Sequence, residues 1–248
     1  MPPTIHFVRH AQAAHNAALD ATMRDASLTP QGEVQCQDLR AAFPHHAEVV
    51  RVLSSPLQRA MTTALLTFAR DEIGPVVALD TLQETSDAPS STGVDVATLR
   101  ERYSAAAVDL SRVREGWNDK SRKSMFAEEW DKLVDRTREA RRVIREIAGE
   151  GDDHVAVVAH GAVLHFLTED WQGMVPERPS DWANCEYRSY QFVDSTGRDD
   201  NATLRETEGS WTRRKGNEPR PTDAEQLQMR DPMQKAFEAA VLNGGWFF

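Results

Sequence analysis

Residues 4–12 have the sequence TIHFVRHAQ, in which a short apolar and β-branched run stops at an arginine-histidine pair. Residues 155–161, VAVVAHG, repeat this pattern and stop at a second histidine. A short apolar run bounded by polar residues is typical of a buried strand in a parallel sheet. Because ligands of open α/β sheets bind outside the carboxyl ends of the strands, both histidines are expected at the functional edge of one sheet.

Four other segments are predicted to be strands. Two buried strands are expected over 49–53 (VVRVL) and 76–79 (VVAL). Two more, over 189–193 and 202–207, are predicted to form a hairpin around residues 194–197.

Helical patterns lie between the strands. Thr29-Pro30 and Ser55-Pro56 each combine an N-cap residue with a proline suited to the first turn. Apolar residues at helical spacing follow both pairs and recur later in the chain. Strands that alternate with helices indicate an α/β fold, here a three-layer α/β/α arrangement with a mainly parallel sheet. Helices are predicted over 30–42, 57–69, 126–147 and 223–242.

A single catalytic domain is expected over residues 1–208. Residues 103–125 are rich in charge and are interpreted as an inserted cap. Residues 209–248 are interpreted as a C-terminal extension, which starts with a polar linker over 209–223. Its apolar tail, residues 244–248, is expected to pack on the same chain, and a homodimer contact is the alternative.

Two segments are candidates for recognising a substrate. The basic residues of the cap, with Trp117, either form a solvated surface or close over an anionic or ring-bearing substrate. The hydroxyl groups of the loop 86–92 are candidates for facing the leaving group, beside Asp87. The basic cap residues are Arg112, Arg114, Lys120, Arg122 and Lys123.

Composition excludes several classes of function. The 248 residues carry 29 Lys+Arg against 39 Asp+Glu, a formal net charge of −10. This balance argues against a nucleic-acid partner, because such proteins need a basic surface. No apolar run is long enough to span a membrane, and the N-terminus lacks the pattern of a secretory signal. Two cysteines, Cys36 and Cys185, are interpreted as isolated small hydrophobic residues in a reducing compartment, so we expect a cytoplasmic protein.

Each predicted parallel strand is followed by polar residues. Arginine binds two phosphate oxygens at once, histidine can act as a nucleophile, and a carboxyl group can protonate a leaving alcohol. The histidines lack metal-ligand spacing, so neither a metal nor another cofactor is expected. The residues that follow the strands are Arg9, His10, His15, Asn16, Arg59, Glu84, His160 and Gly161.

These motifs resemble the histidine phosphatase superfamily, also called the phosphoglycerate mutase-like family. The resemblance covers about residues 4–195, and its family pattern Arg-His-Gly is Arg-His-Ala in this chain. One branch of the family has Arg-His-Ala-Gln, which this chain matches. The segments that carry the resemblance are FVRHAQ (7–12), LTPQG (28–32), SSPLQRA (54–60), LQE (82–84) and VAHG (158–161).

The resemblance implies a role for each matching residue. His10 would take up the phosphoryl group as a phosphohistidine, while Arg9, Arg59 and His160 would hold the phosphate oxygens. Glu84 would be the general acid for the leaving alcohol and then the base for the attacking water. Asn16 corresponds to an additional phosphate ligand of some members, and His15, Gly161 and Asn184 are further pocket candidates.

The expected activity is metal-independent hydrolysis of a small phosphorylated metabolite by a phosphomonoesterase. The alternatives are a phosphoglycerate mutase-type phosphotransferase, a diphosphate hydrolase and a catalytically weak binding protein on the same fold. Cofactor-dependent mutases carry Phe-Thr-Gly-Trp shortly after the first motif, and residues 19–28, LDATMRDASL, do not match it. Hydrolysis is therefore the simpler interpretation.

Overall fold

The computed structural model describes residues 2–176, 180–194 and 196–243. Within these residues one sheet of seven strands forms the centre of the molecule. Its strands are β1 (Thr4–Arg9), β2 (Val49–Ser54), β3 (Val76–Ala78), β4 (Val108–Asp109), β5 (His154–Ala159), β6 (Tyr187–Phe192) and β7 (Leu204–Glu206). The helices are α1 (Ala14–Ala18), α2 (Pro30–Ala42), α3 (Gln58–Phe68), α4 (Val96–Arg102), α5 (Trp130–Ala148), α6 (Gly161–Thr168), α7 (Glu208–Lys215) and α8 (Asp223–Leu242).

The sheet is mainly parallel, which confirms the predicted fold class. Its strand order is β4-β3-β2-β5-β1-β6-β7, with parallel pairing from β4 to β1. Strands β6 and β7 run antiparallel to their neighbours, as expected for the predicted hairpin. Of the residues predicted to form its turn, Ser195 lies outside the described residues. The carboxyl ends of β2, β5 and β1 therefore lie side by side at one edge.

Alternation along β5 shows how the layers are held together. Ala156 and Val158 face the cluster that contains Met61 of α3, on one side of the sheet. Val155 and Val157 face the opposite cluster, which includes residues of α5 and α6. Successive strand residues point to opposite faces, so a continuous apolar run buries both faces of a central strand.

Of two predicted helix starts, one is confirmed and the other is wrong. Thr29 accepts a hydrogen bond from Gly32 N, and Pro30 occupies the first turn of α2, as predicted. The N-cap assignment of Ser55-Pro56 is wrong, because α3 begins at Gln58 after Leu57. Ser55 is buried instead among polar groups at the end of β2.

The segment 103–125 does not place Trp117 over a pocket. The indole of Trp117 is buried in the same cluster as Leu57, and β4 adds residues of this segment to the edge of the sheet. The prediction that Trp117 closes over a substrate is therefore wrong. A Cβ atom at Gly93 would lie 2.2 Å from the Trp117 ring, so glycine allows this packing.

The C-terminal segment is more helical than the sequence suggested. The predicted linker over 209–223 is wrong where α7 forms, with Thr207 as its N-cap. Helix α8 matches the predicted range, and Met233 and Phe237 pack in a cluster with Trp130 and Trp171. The tail 244–248, and with it the predicted packing or dimer contact, lies outside the described residues.

Two sequence expectations concern cysteine and membranes. The prediction that Cys36 and Cys185 are isolated is wrong. The Cys185 thiol is a hydrogen-bond partner of Cys36 and lowers the pKa of the Cys36 thiol. Both are free cysteines. No helix in the described part of the chain is long and apolar enough to cross a membrane.

Candidate active site

His10 lies directly after β1 and is held by hydrogen bonds on both sides of its ring. Its Nδ1 lies 2.7 Å from the carbonyl oxygen of Ala11, which can only accept, so Nδ1 carries the proton. Its Nε2 then has a lone pair, which accepts a hydrogen bond from Arg59 Nε over 3.1 Å. In this tautomer Nε2 is the ring nitrogen whose lone pair could attack an electrophile.

The backbone around His10 is fully engaged by neighbouring elements. His10 N donates to Ala159 O at the end of β5, and Ala11 N donates to the Thr63 hydroxyl on α3. Asn184 Nδ2 donates to His10 O over 2.8 Å. Asn184, a pocket candidate from the sequence, thus holds the main chain of His10.

His160 follows β5 and lies against His10, with ring centroids 5.0 Å apart. Its Nε2 is 2.8 Å from the hydroxyl oxygen of Ser55, which follows β2. Its Nδ1 is buried and has no hydrogen-bond partner among the described residues. A buried polar atom without a partner is costly, so this nitrogen is suited to binding a polar ligand.

The two arginines reach the site from different elements. Arg59, the second residue of α3, is 1% exposed and also donates to Ser90 O over 2.7 Å. Arg9 is half-buried at the end of β1 and donates through Nη1 to Trp182 O. Its Nε is buried and unpartnered within the described residues, so it too can bind an anion. A Cβ atom at Gly161 would lie 3.3 Å from this nitrogen.

Burial and these charges together determine the protonation of the histidines. Burial, then the guanidinium groups of Arg59 and Arg9, lower the pKa of His10 well below its ordinary value of 6.5. Burial and Arg59 lower the pKa of His160 in the same direction. Burial lowers the pKa of Arg59 to about 10, which still leaves it charged at neutral pH. The site therefore presents neutral imidazoles between cations, as an attack on a phosphate dianion requires.

Glu84 lies on the loop after β3 and faces the start of α6. Its Oε1 accepts hydrogen bonds from Thr85 N over 3.0 Å and Val163 N over 3.1 Å. Val163 is in the first turn of α6, where backbone N–H groups have no partner within the helix. Burial lowers the pKa of Arg9 and of Arg59, and Glu84 is close enough to both to oppose this shift. The structure thus brings the carboxyl group to the same edge as the histidines.

His15 and Asn16 lie in α1 beside this group. Asn16 Oδ1 accepts from Ala13 N, and its Nδ2 lies 3.0 Å from His15 Nε2. The rings of His15 and His10 are 6.1 Å apart, and burial, Arg59 and Arg9 lower the pKa of His15 to about 3. Because Asn16 Nδ2 donates to Nε2, the Nδ1 of His15 carries the proton and is free to donate to an anion.

Two residues support the site through contacts that the sequence did not predict. Ser55 follows the second predicted strand and was also interpreted as a helix start, but its contact with His160 was not predicted. Arg136 of α5, fully buried, donates to Gln83 O over 2.9 Å and to Glu84 O over 3.4 Å. The position of Arg136 in the helical pattern did not predict this contact.

The hydroxyl groups of the loop 86–92 were expected to face the leaving group. Ser86 and Ser91 instead share a hydrogen bond of 3.0 Å, and Thr92 donates to Ala88 O over 3.1 Å. These hydroxyls stabilise the loop itself. Among the described residues no group of three or more His, Cys, Asp or Glu side chains has a geometry suited to a metal ion.

Known proteins share this sequence pattern and this fold. Residues 5–204 match the Histidine phosphatase superfamily (branch 1). The chain is 26% identical over 231 residues to phosphoglycerate mutase-like protein 1 of Arabidopsis thaliana, covering 77% of this chain and 81% of that protein. It is 24% identical over 201 residues to a probable phosphatase of Schizosaccharomyces pombe, covering 76% and 90%.

The fold is also similar to a solved structure. A phosphoserine phosphatase mutant from Entamoeba histolytica, crystallised with phosphoserine, superposes with a TM-score of 0.52 at 14% identity. The match covers 83% of this chain and 95% of that one. At this identity the likeness concerns the fold alone.

Proposed function

Because the chain belongs to the histidine phosphatase superfamily (branch 1) and is a phosphoric monoester hydrolase of that type, we propose that it hydrolyses a small phosphorylated metabolite through a phosphohistidine at His10. One observation carries this proposal. His10 has its proton on Nδ1 and a lone pair on Nε2, its ring lies 5.0 Å from that of His160, and His160 Nδ1 and Arg9 Nε are buried without a partner among the described residues. A phosphate dianion in this space would satisfy these groups.

Binding of the ester comes first in the proposed reaction. The guanidinium groups of Arg9 and Arg59 hold two phosphate oxygens, and His160 and His15 donate to the others. Arg59 Nε now donates to His10 Nε2, so the arriving phosphate must take over this N–H and release the lone pair. Binding the dianion and freeing the nucleophile are then one step.

His10 Nε2 next forms a bond to phosphorus, and the bond from phosphorus to the ester oxygen breaks. Glu84 gives its proton to the leaving oxygen and becomes a carboxylate. In the second half, Glu84 removes a proton from water, the water oxygen attacks phosphorus, and the bond to His10 breaks. Phosphate leaves, and both residues return to their starting state. The arginine charges stabilise the phosphoryl oxygens throughout, which is the largest contribution expected in such reactions.

The sequence relatives favour small phosphate esters as substrates. One is named a probable phosphatase, and another is named a phosphoglycerate mutase-like protein. Transfer of the phosphoryl group from His10 to a second alcohol, as in a mutase, is therefore the alternative to hydrolysis. The proposed chemistry needs no metal, because side-chain cations hold the phosphate. The cytoplasmic location, the absence of a nucleic-acid partner, the diphosphate substrate and the domain boundaries stay predictions from the sequence.

The test combines trapping with turnover. We expect the wild-type protein to hydrolyse p-nitrophenyl phosphate in excess EDTA and to carry acid-labile, base-stable phosphate after rapid quenching. His10→Ala should lose both properties, while His46→Ala, a histidine outside the site, should keep them. Activity that EDTA abolishes, or phosphate that still attaches to His10→Ala, would contradict the proposal. Isomerisation of 3-phosphoglycerate that depends on a bisphosphorylated primer would select the mutase alternative.

A further inference from the structure

The two cysteines of the chain come from distant segments and meet beside the candidate active site. Cys36 lies on α2 and is fully buried, while Cys185 lies shortly before β6 and is partly exposed. Cys185 packs against the core cluster that contains Leu39, the residue one turn after Cys36. The two thiols are hydrogen-bond partners of each other, and both are free. The structure thus holds a pair of reduced thiols in contact.

Backbone packing independently brings the two segments together. One turn before Cys36, a Cβ atom at Gly32 would lie 2.1 Å from the main-chain oxygen of Gln12. This face of α2 therefore lies directly on the residues that follow β1. Cys185 N donates to Arg9 O over 3.0 Å, at the end of the same strand. The segments of both cysteines are therefore fixed to the same short stretch of main chain.

That stretch of main chain carries His10. Asn184, the neighbour of Cys185, donates through Nδ2 to His10 O over 2.8 Å. At the start of α2, Thr29 N donates to Gln12 O over 3.0 Å. A displacement of either cysteine would therefore be transmitted through these bonds to the main chain on both sides of the His10 ring.

We propose that Cys36 and Cys185 form a reversible disulfide when a peroxide oxidises them, and that this bond lowers the activity of the site. The S–S length of a disulfide is about 2.05 Å, which is shorter than any non-bonded contact between two sulfur atoms. Its formation must therefore draw α2 and the residues before β6 together. Small displacements of catalytic groups are costly, because the reacting atoms need a specific geometry. The effect on activity rests on the proposed function.

The oxidation consumes one peroxide for two thiols. Peroxide reaches the partly exposed Cys185, whose sulfur bonds to one oxygen as the O–O bond breaks, and the other oxygen leaves as water with the thiol proton. The Cys36 sulfur then attacks the sulfenic sulfur, and the hydroxyl group leaves as a second water with the proton of Cys36. The two sulfurs lose two electrons, which the two peroxide oxygens gain.

The hydrogen bond between the thiols affects the two steps in opposite ways. It raises the pKa of Cys185, so the first step is expected to be slow and to need excess peroxide. It lowers the pKa of Cys36, which favours the thiolate that attacks in the second step.

The test treats the reduced protein with excess hydrogen peroxide and measures the disulfide and the activity separately. We expect mass spectrometry of a non-reducing digest of the monomer to show the peptides of Cys36 and Cys185 joined. In the fully oxidised protein, kcat/KM for p-nitrophenyl phosphate should be about 10- to 100-fold lower. Dithiothreitol should separate the peptides and restore the activity.

Two variants separate this disulfide from other oxidation. Cys185→Ser and Cys36→Ala each lack one sulfur, so peroxide should leave the activity of each variant at its own untreated value. The same loss of activity in these variants would assign the effect to another oxidised group and overturn the inference. Peptides that stay separate after oxidation, or a disulfide that leaves kcat/KM unchanged, would also overturn it. Failure of the proposed function is distinct, because the reduced protein would then hydrolyse no ester while the digest still reports the disulfide.

Discussion

Arg59 Nε donates a hydrogen bond to His10 Nε2 over 3.1 Å, at a point where the two side chains are 1% and 2% exposed. A guanidinium cannot accept a proton at any ordinary pH, so this contact forces the lone pair of Nε2 toward Arg59. The same contact disfavours a second proton on the ring. In the proposed reaction, Arg59 therefore prepares His10 for attack and also binds the phosphate.

The first prediction concerns the titration of His10. Arg59→Met should raise the pKa of His10, because it removes the nearest cation while burial continues to lower that pKa. Nitrogen NMR of histidine-labelled protein between about pH 4 and 8 would follow the ring directly. His154 serves as an internal control, since the charges acting on it are those of other residues. An unchanged His10 titration would show that burial alone keeps the ring neutral.

The second prediction concerns Glu84 as the acid. Glu84→Gln retains an oxygen that can accept from Thr85 N and Val163 N, so the loop should keep its conformation. The variant should slow alkyl phosphates much more than p-nitrophenyl phosphate, because a poor leaving group needs the proton and a good one does not. Initial rates over a series of alcohol and phenol esters measure this dependence. Equal slowing of all esters would contradict the assignment.

The third prediction concerns Gly161. A Cβ atom there would lie 2.7 Å from Ser180 Oγ and 3.3 Å from Arg9 Nε. Gly161→Ala should displace one of these groups and reduce kcat/KM by about 10- to 100-fold, since small misplacements in a phosphate site are costly. Gly209→Ala is the matched control, because nothing lies within 4 Å of its added Cβ in helix α7. Full activity of Gly161→Ala would mean that the site adapts without loss.

The fourth prediction concerns stability in acid. His6 is buried, and its two ring nitrogens lie within hydrogen-bond distance of the Ser189 hydroxyl and of His154 Nδ1. The His6 ring stacks on that of His45. Burial lowers the pKa of His6 to about 3. The unfolded chain binds a proton at His6 below about pH 6.5, while the folded chain does not until about pH 3. Its contribution to stability is thus complete above pH 6.5 and is lost as the pH falls toward 3.

Urea denaturation of the wild-type protein and of His6→Gln tests this expectation. At pH 4.5, two units below the ordinary histidine pKa, His6 takes up a proton only in the unfolded chain. This should lower the unfolding free energy of the wild-type protein by up to about 2.7 kcal/mol, a loss that His6→Gln should not show. Above about pH 7 the difference between the two proteins should be constant, which provides the control. Parallel pH profiles throughout would contradict the prediction.

Much of the fold follows from the sequence because its strands are short apolar runs and its helices have clear starts. The run 155–159 predicted β5, and Thr29-Pro30 predicted the start of α2. The same local signal misplaced Ser55, since a serine before a proline is equally suited to a polar strand end. Helix α7 was missed because a polar segment that contains Gly209, Pro219 and Pro221 is typical of a linker, and Trp211 is buried only through tertiary packing.

The candidate site was predictable where residues follow strands, as His10 and His160 do. It was not predictable where long-range packing decides the partner. Trp117 lies among charged residues in the sequence, yet it packs into the core beside Gly93. Cys36 and Cys185 are distant in the chain and meet only after folding. The contacts of Arg136 and Lys120 with Glu84 are of the same kind.

Strand β5 lies between β1 and β2, although it is formed by residues 154–159 and they are formed by residues 4–9 and 49–54. When the chain is synthesised, His10 and Arg59 therefore emerge before the strand that holds β1 and β2 side by side. We expect a fragment that ends before β5 to lack the pocket and to hydrolyse no phosphate ester.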